Sequence, residues 1–318
     1  MSYIFKLTNN SSFCYLNSII QCLFNLESLN KLILNTSIND AHSDSLKIYH
    51  KTLSTITTSP QDENKIPLFG LTGFQRIFIK NSNKFQMAQQ EDAEEFLLYL
   101  IDTLHNSLKC SLTKSLIEGS TKRSKEAFYK QYKDDYSPIL PLFHIQVRTL
   151  FECKNCGNEQ KKYESMLQLY LNTHSFIKQS ISIYDLLNAQ YKSPELLDGY
   201  TCPKCKKNNT TTQLTNISSL PDVLIIIFKK FYSKQMQIEC PPLLRLNEYV
   251  SWNNSSNELI QYQINSGVFH IGNMNGGDHF AVANKENKWL ICDDEMIREI
   301  NPNLFTFGDS YILFYERV

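Results

Sequence analysis

An α+β fold, with a helical lobe packed on a sheet lobe, is predicted for this chain of 318 residues. Residues 1–110 carry apolar positions at helical spacing, whereas after Pro141 the texture changes to short runs rich in β-branched and aromatic residues. No repeat or low-complexity linker divides the two halves. On a prior of about 100 to 200 residues per domain the chain holds one composite domain or two ordinary ones, and the missing linker favours a single unit, 1–318.

The elements follow in order. From Cys14 the apolar Leu16, Ile19, Ile20, Leu23 and Phe24 share one helix face, with Ser11 or Ser12 available as the N-cap. A stronger helix is expected over 89–108, with Ala93, Phe96, Leu97, Leu100, Ile101, Leu104 and Leu108 on its buried stripe. The polar stretches between these helices, and again over 114–136, lack clear periodicity and read as surface connections or short helices. Strands are expected at FHIQVRTLF, MLQLYLNT, TTQLTNI, VLIIIF, QYQINSGVFHI, HFAVAN, KWLIC and YILFY. The unbroken run Val223 to Phe228 lacks polar alternation, as a central strand covered on both faces would.

Composition narrows the function. Hydrophobic residues at 42% and charged residues at 20% exclude an intrinsically disordered chain. Lys+Arg and Asp+Glu are both 32, so no overall field recommends a nucleic acid or an anionic membrane as partner. No apolar run has the length of a signal peptide core or of a membrane span, which needs about 18 to 20 residues. The expected setting is a reducing cytosol or nucleus. Nine cysteines, four of them in two CxxC pairs, fit metal binding and catalysis better than a disulfide framework.

Cys14 lies just inside a predicted helix N-terminus, where unpaired N–H groups and the helix dipole favour a thiolate. Viewed alone, a single cysteine more often reads as a small buried residue. The partner base is His279 in GGDHF, on a strand answered by 288–292 in a hairpin. Pairing Ala283 with Lys288 sets His279 opposite Cys292, with Asp293 one position further. Strict alternation would turn His279 and Asp293 to opposite faces, so a bulge or the strand end is required, and Asp294 is the substitute. Thiol, imidazole and carboxylate together supply attack, proton transfer and ring orientation. His270 in VFHIG has equal chemistry but no acid at hairpin distance, and reads as a hydrogen-bonded sheet histidine. Asn9, five residues before Cys14, offers an amide to a tetrahedral oxyanion, or simply a turn residue.

The metal signal is the most specific. Cys153 and Cys156 in ECKNCG, with Cys202 and Cys205 in TCPKCK, present four thiolates to one tetrahedral Zn²⁺. With every position filled by protein the ion is structural, not catalytic. Lys161, Lys162, Lys206 and Lys207 beside the pairs read as solvated lysines and not as a nucleic-acid surface. QQEDAEEFL puts Glu91, Asp92, Glu94 and Glu95 at a helix start, either complementing the dipole or receiving a cationic peptide.

Taken together, NNSSFCYLNSIIQCLFN, QEDAEEFLLYLIDTLH, the paired CxxC elements, LPDVLIIIFKKF and GGDHFAVA…KWLICDDEMI…SYILFYER resemble the ubiquitin-specific proteases, the cysteine-protease deubiquitinases. The resemblance spans nearly the whole chain and keeps the family's motif order. It implies a papain-like cysteine protease fold: a helical thumb over 1–136, zinc-tipped β fingers and part of an antiparallel palm over 137–250, and the palm with the His box over 251–318. It further implies Cys14 as nucleophile, His279 as base, Asp293 as orienting acid and Asn9 as oxyanion donor. Asp92 and Glu95 would meet the basic C-terminal tail of ubiquitin. The implied reaction is hydrolysis of the bond following the C-terminal glycine of ubiquitin, through a Cys14 thioester. Its partners would be ubiquitin and ubiquitin-conjugated proteins, with the chain a monomer and an activating partner allowed for. Four positions depart from the family pattern: Ser11 and Asp278 stand where glycines are usual, Phe13 where a small residue is usual, and Lys230 where arginine is usual. Ser11, Phe13 and Asp278 motivate the alternative of a ubiquitin-binding pseudoenzyme.

Overall fold

A computed structural model describes residues 3–9, 12–59, 66–82, 84–86, 89–117, 119–173, 180–229, 236–251, 259–273, 276–286, 288–300 and 309–318. Ser11 and Lys230, two of the four departures, lie outside the described residues. The helical lobe comprises α1 (Cys14–Leu23), α2 (Glu27–Leu34), α3 (Asp44–Thr58), α4 (Thr72–Lys80) and α5 (Ala93–Ser107). All ten residues of α1 are buried, because the helix lies between its helical neighbours and the main sheet. Its position explains why the apolar face read from sequence is only part of what it buries.

The second expected helix starts later than predicted. Asp92 is its N-cap and accepts the Glu95 N–H, so residues 89–91 precede it, and Leu108 is the C-cap. The predicted stripe from Ala93 to Leu104 is buried as read. Aromatic rings fill the space between helices, with Phe24 and Tyr49 edge-on at 5.0 Å and Phe74 stacked on Phe78 at 4.4 Å. The stretch 114–136 holds a short 3₁₀ turn (Lys114–Leu116) and α6 (Lys122–Tyr132). Ser124 and Phe128 are the buried members of α6, which is why no periodicity was visible there. Two further helices, α7 (Ile139–Phe143) and α8 (Ile183–Tyr191), pack beside the sheets, the latter opened by a Ser182–Asp185 capping box.

The main sheet has eight strands. From one edge the order is Met296–Ile300, Lys288–Asp293, Gly276–Lys285, Gln261–Asn273, Ser310–Arg317, Val223–Lys229 and Leu169–Asn172, with Leu243–Arg245 also paired to Gln261–Asn273. Neighbours are antiparallel except Leu169–Asn172, which runs parallel to Val223–Lys229. The predicted central strand divides its side chains between two cores. Val223, Ile225 and Ile227 face the helical lobe, while Leu224, Ile226 and Phe228 face the core on the other side. That two-sided burial produces the unbroken apolar run. A second, four-stranded sheet is ordered Glu159–Met166, Ile145–Cys153, Thr211–Ser219 and Glu195–Leu196. It carries both CxxC turns at its end. Among the described residues no helix is long and apolar enough to cross a membrane.

Candidate active site

Cys14 opens α1, but no serine caps the helix as the sequence suggested. The N-cap is Phe13, whose N–H donates to Asn9 Oδ1 at 3.0 Å. Ser12 instead turns the chain with φ +55°, a left-handed conformation uncommon for serine. Phe13 is buried with its ring 6.3 Å from that of Tyr15, so its bulk belongs to the core. Cys14 is 3% exposed, and its Sγ lies 3.9 Å from Nδ1 of His279, 265 residues away in sequence.

The hairpin carrying His279 has a different register from the predicted one. Lys285 pairs with Lys288 and Ala281 with Cys292, two residues tighter than an Ala283–Lys288 pairing. Glu286 adopts φ +51°, as a tight two-residue turn requires. The ladder ends at Ala281–Cys292, and its continuation brings Asp294, not Cys292, across from His279. Asp293 ends its strand paired with Met296, and Asp294 turns the chain with φ +51°.

The two acids are placed differently. Asp294 Oδ2 accepts from Asn9 Nδ2 at 2.6 Å, Oδ1 accepts from Asn17 Nδ2 at 2.7 Å, and the Asp294 carbonyl accepts the Leu7 N–H at 3.0 Å. Burial raises its carboxyl pKa against the pull of those two amides. Asp293 is partly buried, and burial followed by the charges of Asp278 and Asp294 raises its pKa. Among the described residues neither carboxylate is hydrogen-bonded to the His279 ring, whose polar contact is the Cys14 sulfur. The Asn9 amide expected to serve an oxyanion is engaged by Asp294 in this structure.

His270 sits directly across the ladder from His279, with ring centroids 4.5 Å apart, and the Tyr311 ring lies 6.3 Å from that of His279. Burial, aided by His270, lowers the His279 pKa to about 3. Burial pushes the Cys14 thiol up to about 11, outweighing the stabilisation expected at a helix start. The pair is therefore a neutral thiol beside a neutral imidazole. Gln90 reaches across from the helical lobe to the same strand. Its Nε2 donates to the Gly277 carbonyl at 2.9 Å, and its Oε1 accepts the Gly277 N–H at 3.2 Å.

The acidic helix start is a hydrogen-bonded network. Both Asp92 carboxylate oxygens accept from Tyr311 Oη at 2.8 Å, and Glu94 accepts from Tyr170 Oη at 2.6 Å. Glu95 pairs with Lys84 at 2.6 Å on the exposed side.

The four CxxC cysteines converge, with their sulfurs all within 4.8 Å of one another. Cys153 and Cys205 sulfurs are 3.7 Å apart, and those of Cys156 and Cys202 3.8 Å. A tetrahedral ion with metal–sulfur bonds of about 2.3 Å sets its sulfurs about 3.8 Å apart. The two turns share one design: the Gly157 N–H donates to the Cys153 carbonyl and the Lys206 N–H to the Cys202 carbonyl, each donor having positive φ. The Thr210 hydroxyl lies 3.3 Å from Cys153 Sγ and lowers the pKa of that thiol, which favours the ligating thiolate. The set can hold one metal ion.

A family model described as ubiquitin carboxyl-terminal hydrolase matches residues 5–315. This chain belongs to that family. Among its relatives, ubiquitin carboxyl-terminal hydrolase 4 of Vanderwaltozyma polyspora is 28% identical over 100% of this chain and 41% of its own length. Usp2 of Drosophila melanogaster is 25% identical over 98% and 34%, and ubiquitin carboxyl-terminal hydrolase 2 of Homo sapiens is 25% identical over 98% and 54%. The chain thus spans about two-fifths of the first of these relatives. Among solved structures, the SAGA Ubp8/Sgf11/Sus1/Sgf73 DUB module bound to ubiquitin aldehyde superposes with a TM-score of 0.76 at 20% identity, over 99% of this chain and 70% of that one. A yeast SAGA DUB module gives 0.74 at 22% identity, over 99% and 68%. The hydrolase fold, a papain-like α+β arrangement, is thereby established.

Asn17 and Gln90 tie these elements together yet were not singled out from sequence as site residues. Asn17 had a signal, being a polar residue within the otherwise apolar CYLNSIIQCL. Gln90 had none, since its partner is backbone 187 residues away.

Proposed function

We propose that this chain is a thiol-dependent deubiquitinase that hydrolyses the isopeptide or peptide bond after the C-terminal glycine of ubiquitin. The observation that carries the proposal is the 3.9 Å approach of His279 Nδ1 to Cys14 Sγ at the head of a buried helix. In the first step Sγ attacks the glycyl carbonyl as Nδ1 takes the thiol proton. The C–N bond then breaks, the amine leaves with that proton, and a thioester remains on Cys14. Water, deprotonated by His279, cleaves the thioester and restores the thiol. Asn9 donates to the oxyanion of each tetrahedral intermediate, which requires its amide to be shared with or released from Asp294. Asp293 orients the imidazole in the substrate-bound state, while Asp294 organises Asn9 and Asn17.

Asp92 and Glu95 receive the cationic tail that precedes the glycines. Cys153, Cys156, Cys202 and Cys205 hold one structural Zn²⁺, whose bound form cross-links the two turns at the end of the four-stranded sheet. The protein works as a monomer in the nucleus or cytosol, on ubiquitin-conjugated proteins. The named components of the superposed SAGA modules support an activating partner as well. The test is a fluorogenic conjugate on the ubiquitin C-terminus. Zinc-loaded protein should turn it over and Cys14→Ala should not; no turnover by the intact protein, or equal turnover by the variant, defeats the proposal. The elevated thiol and Asp278 favour a second reading, a ubiquitin-binding pseudoenzyme, which a ubiquitin probe with a C-terminal electrophile would reveal by binding without labelling Cys14.

A further inference from the structure

Among the described residues His279 faces Cys14 without a hydrogen bond from its ring to Asp293 or Asp294. What lies against its ring is a second imidazole. His270 and His279 are direct partners in the antiparallel ladder, so both side chains stand on the same face, with their rings 4.5 Å apart and tilted by 35°. The His270 N–H donates to the Asp309 carbonyl at 3.0 Å, which fixes its backbone. Gly277, two residues before His279, shares that face and lies diagonal to His270. A Cβ there would meet His270 Nε2 at 2.4 Å and the Ile271 carbonyl oxygen at 2.5 Å, so the edge of the His270 ring occupies the space a side chain would take. Gln90 closes this seat from the helical lobe. Its amide bonds both polar groups of Gly277, at 2.9 and 3.2 Å, where the strand is beyond its ladder with Lys288–Asp293. A chain of contacts thus runs from Gln90 through Gly277 and His270 to the ring that faces the thiol, and it contains no carboxylate.

Given the assignment of His279 as base, we propose that His270 is a positioning residue: its ring, seated over Gly277 by Gln90, sets the His279 imidazole towards Cys14 in the free protein. An imidazole free to turn about its side-chain bonds spends only part of its time with Nδ1 towards the sulfur. A flat neighbour against one face removes those alternatives. Tyr311 bounds the same ring at 6.3 Å, and its hydroxyl is held by Asp92. The helical lobe therefore braces the base twice from one short segment, through Gln90 and through Asp92. A histidine that served only the sheet, by hydrogen bonding, would need its polar atoms and not its ring.

The experiment compares His270→Ala, His270→Asn, His270→Phe and Gln90→Leu with the native chain. It reads turnover of the ubiquitin conjugate and, separately, alkylation of Cys14 by iodoacetamide near neutral pH, with His279→Gln as the floor. His270→Ala and His270→Asn should lower kcat about 10- to 100-fold with KM within about twofold, and should alkylate about as slowly as His279→Gln. His270→Phe keeps a ring and should stay within about threefold of the native protein in both assays. Gln90→Leu removes both bonds to Gly277 without touching either ring. It should lower both rates about 3- to 10-fold, and it supplies the reading if His270→Ala does not fold. Native rates in His270→Ala, His270→Asn more active than His270→Phe, or equal loss in all three would overturn the brace. So would native alkylation no faster than that of His279→Gln. Alkylation does not depend on ubiquitin, so intact conjugate hydrolysis that His270→Ala leaves unchanged removes the brace alone. The expected alkylation pattern in a native protein that never hydrolyses the conjugate upholds the brace and removes the deubiquitinase proposal.

Discussion

Asn17 donates its side-chain amide to Asp294 at 2.7 Å, tying the helix that begins at Cys14 to a turn 277 residues away. The other carboxylate oxygen takes the Asn9 amide, so Asp294 joins the nucleophile's helix, the segment before it and the His279 hairpin. Asn17→Leu leaves one oxygen of that carboxylate without its donor, a loss of about 1 to 3 kcal/mol in stability. We expect kcat to fall about tenfold as the Cys14–His279 approach loosens. A cycle of Asn17→Ala, Asp294→Ala and the double variant should show coupling of about 0.5 kcal/mol or more in urea unfolding. Strict additivity there would mean that the contact holds nothing together.

The history of Asp294 also shows what sequence could and could not deliver. An unbroken apolar run placed Val223 to Phe228 inside a sheet, covered on both faces, and the CxxC spacing brought four sulfurs together, because each signal is local. Register is not local. The predicted hairpin left Asn284 to Asn287 as loop, whereas Lys285 and Lys288 pair, and the two-residue shift is what brings Asp294 rather than Cys292 towards His279. The cap of α1 failed for a related reason. Asn9 reaches the Phe13 N–H from four residues upstream, while the nearer serines offered a more familiar cap. Gln90 bonds backbone, which carries no side-chain signature in sequence.

Mild acid should destabilise the fold through its buried histidines. His144 is 2% exposed, and burial lowers its imidazole from 6.5 to about 4; His279 falls to about 3. The unfolded chain takes up these protons near pH 6.5 while the folded chain resists them. Stability is thus full above pH 6.5 and is lost as pH falls toward 4. At pH 5.5, His144 alone accounts for about 1.4 kcal/mol. Asp293, Asp294 and Glu316 have raised pKa values, so each gains stability as pH falls through its folded pKa towards its unfolded value and opposes part of the loss. Urea midpoints at pH 7.5 and 5.5 should differ accordingly, and His144→Leu should narrow the difference. An unchanged gap in that variant would locate the acid sensitivity elsewhere.

Metal removal should act on the fold before the chemistry. The paired sulfurs sit at the edge lengths of a metal–thiolate tetrahedron, and the turns that hold them end the four-stranded sheet, remote in sequence from both Cys14 and His279. Chelation, or Cys156→Ser, should lower the melting temperature by about 5 °C or more and release one zinc per chain, measured by a colorimetric indicator. Turnover measured immediately after chelation, below the new melting point, should fall less than about threefold. Loss of activity with an unchanged melting temperature would assign the cluster a different role.

The acidic helix start separates recognition from capping. Glu95 pairs on the exposed side with Lys84, so Glu95→Ala should cost no more than about 0.5 kcal/mol. Asp92 caps α5 and accepts from Tyr311, and Asp92→Ala should cost about 1 kcal/mol or more. If both acids receive a cationic tail, each substitution raises KM for the ubiquitin conjugate about 5- to 20-fold. Only the Asp92 variant should also lower the melting temperature. Glu95→Ala is the decisive case, because its stability is expected to stay native: a KM equal to that of the unaltered protein would confine these acids to holding the helix.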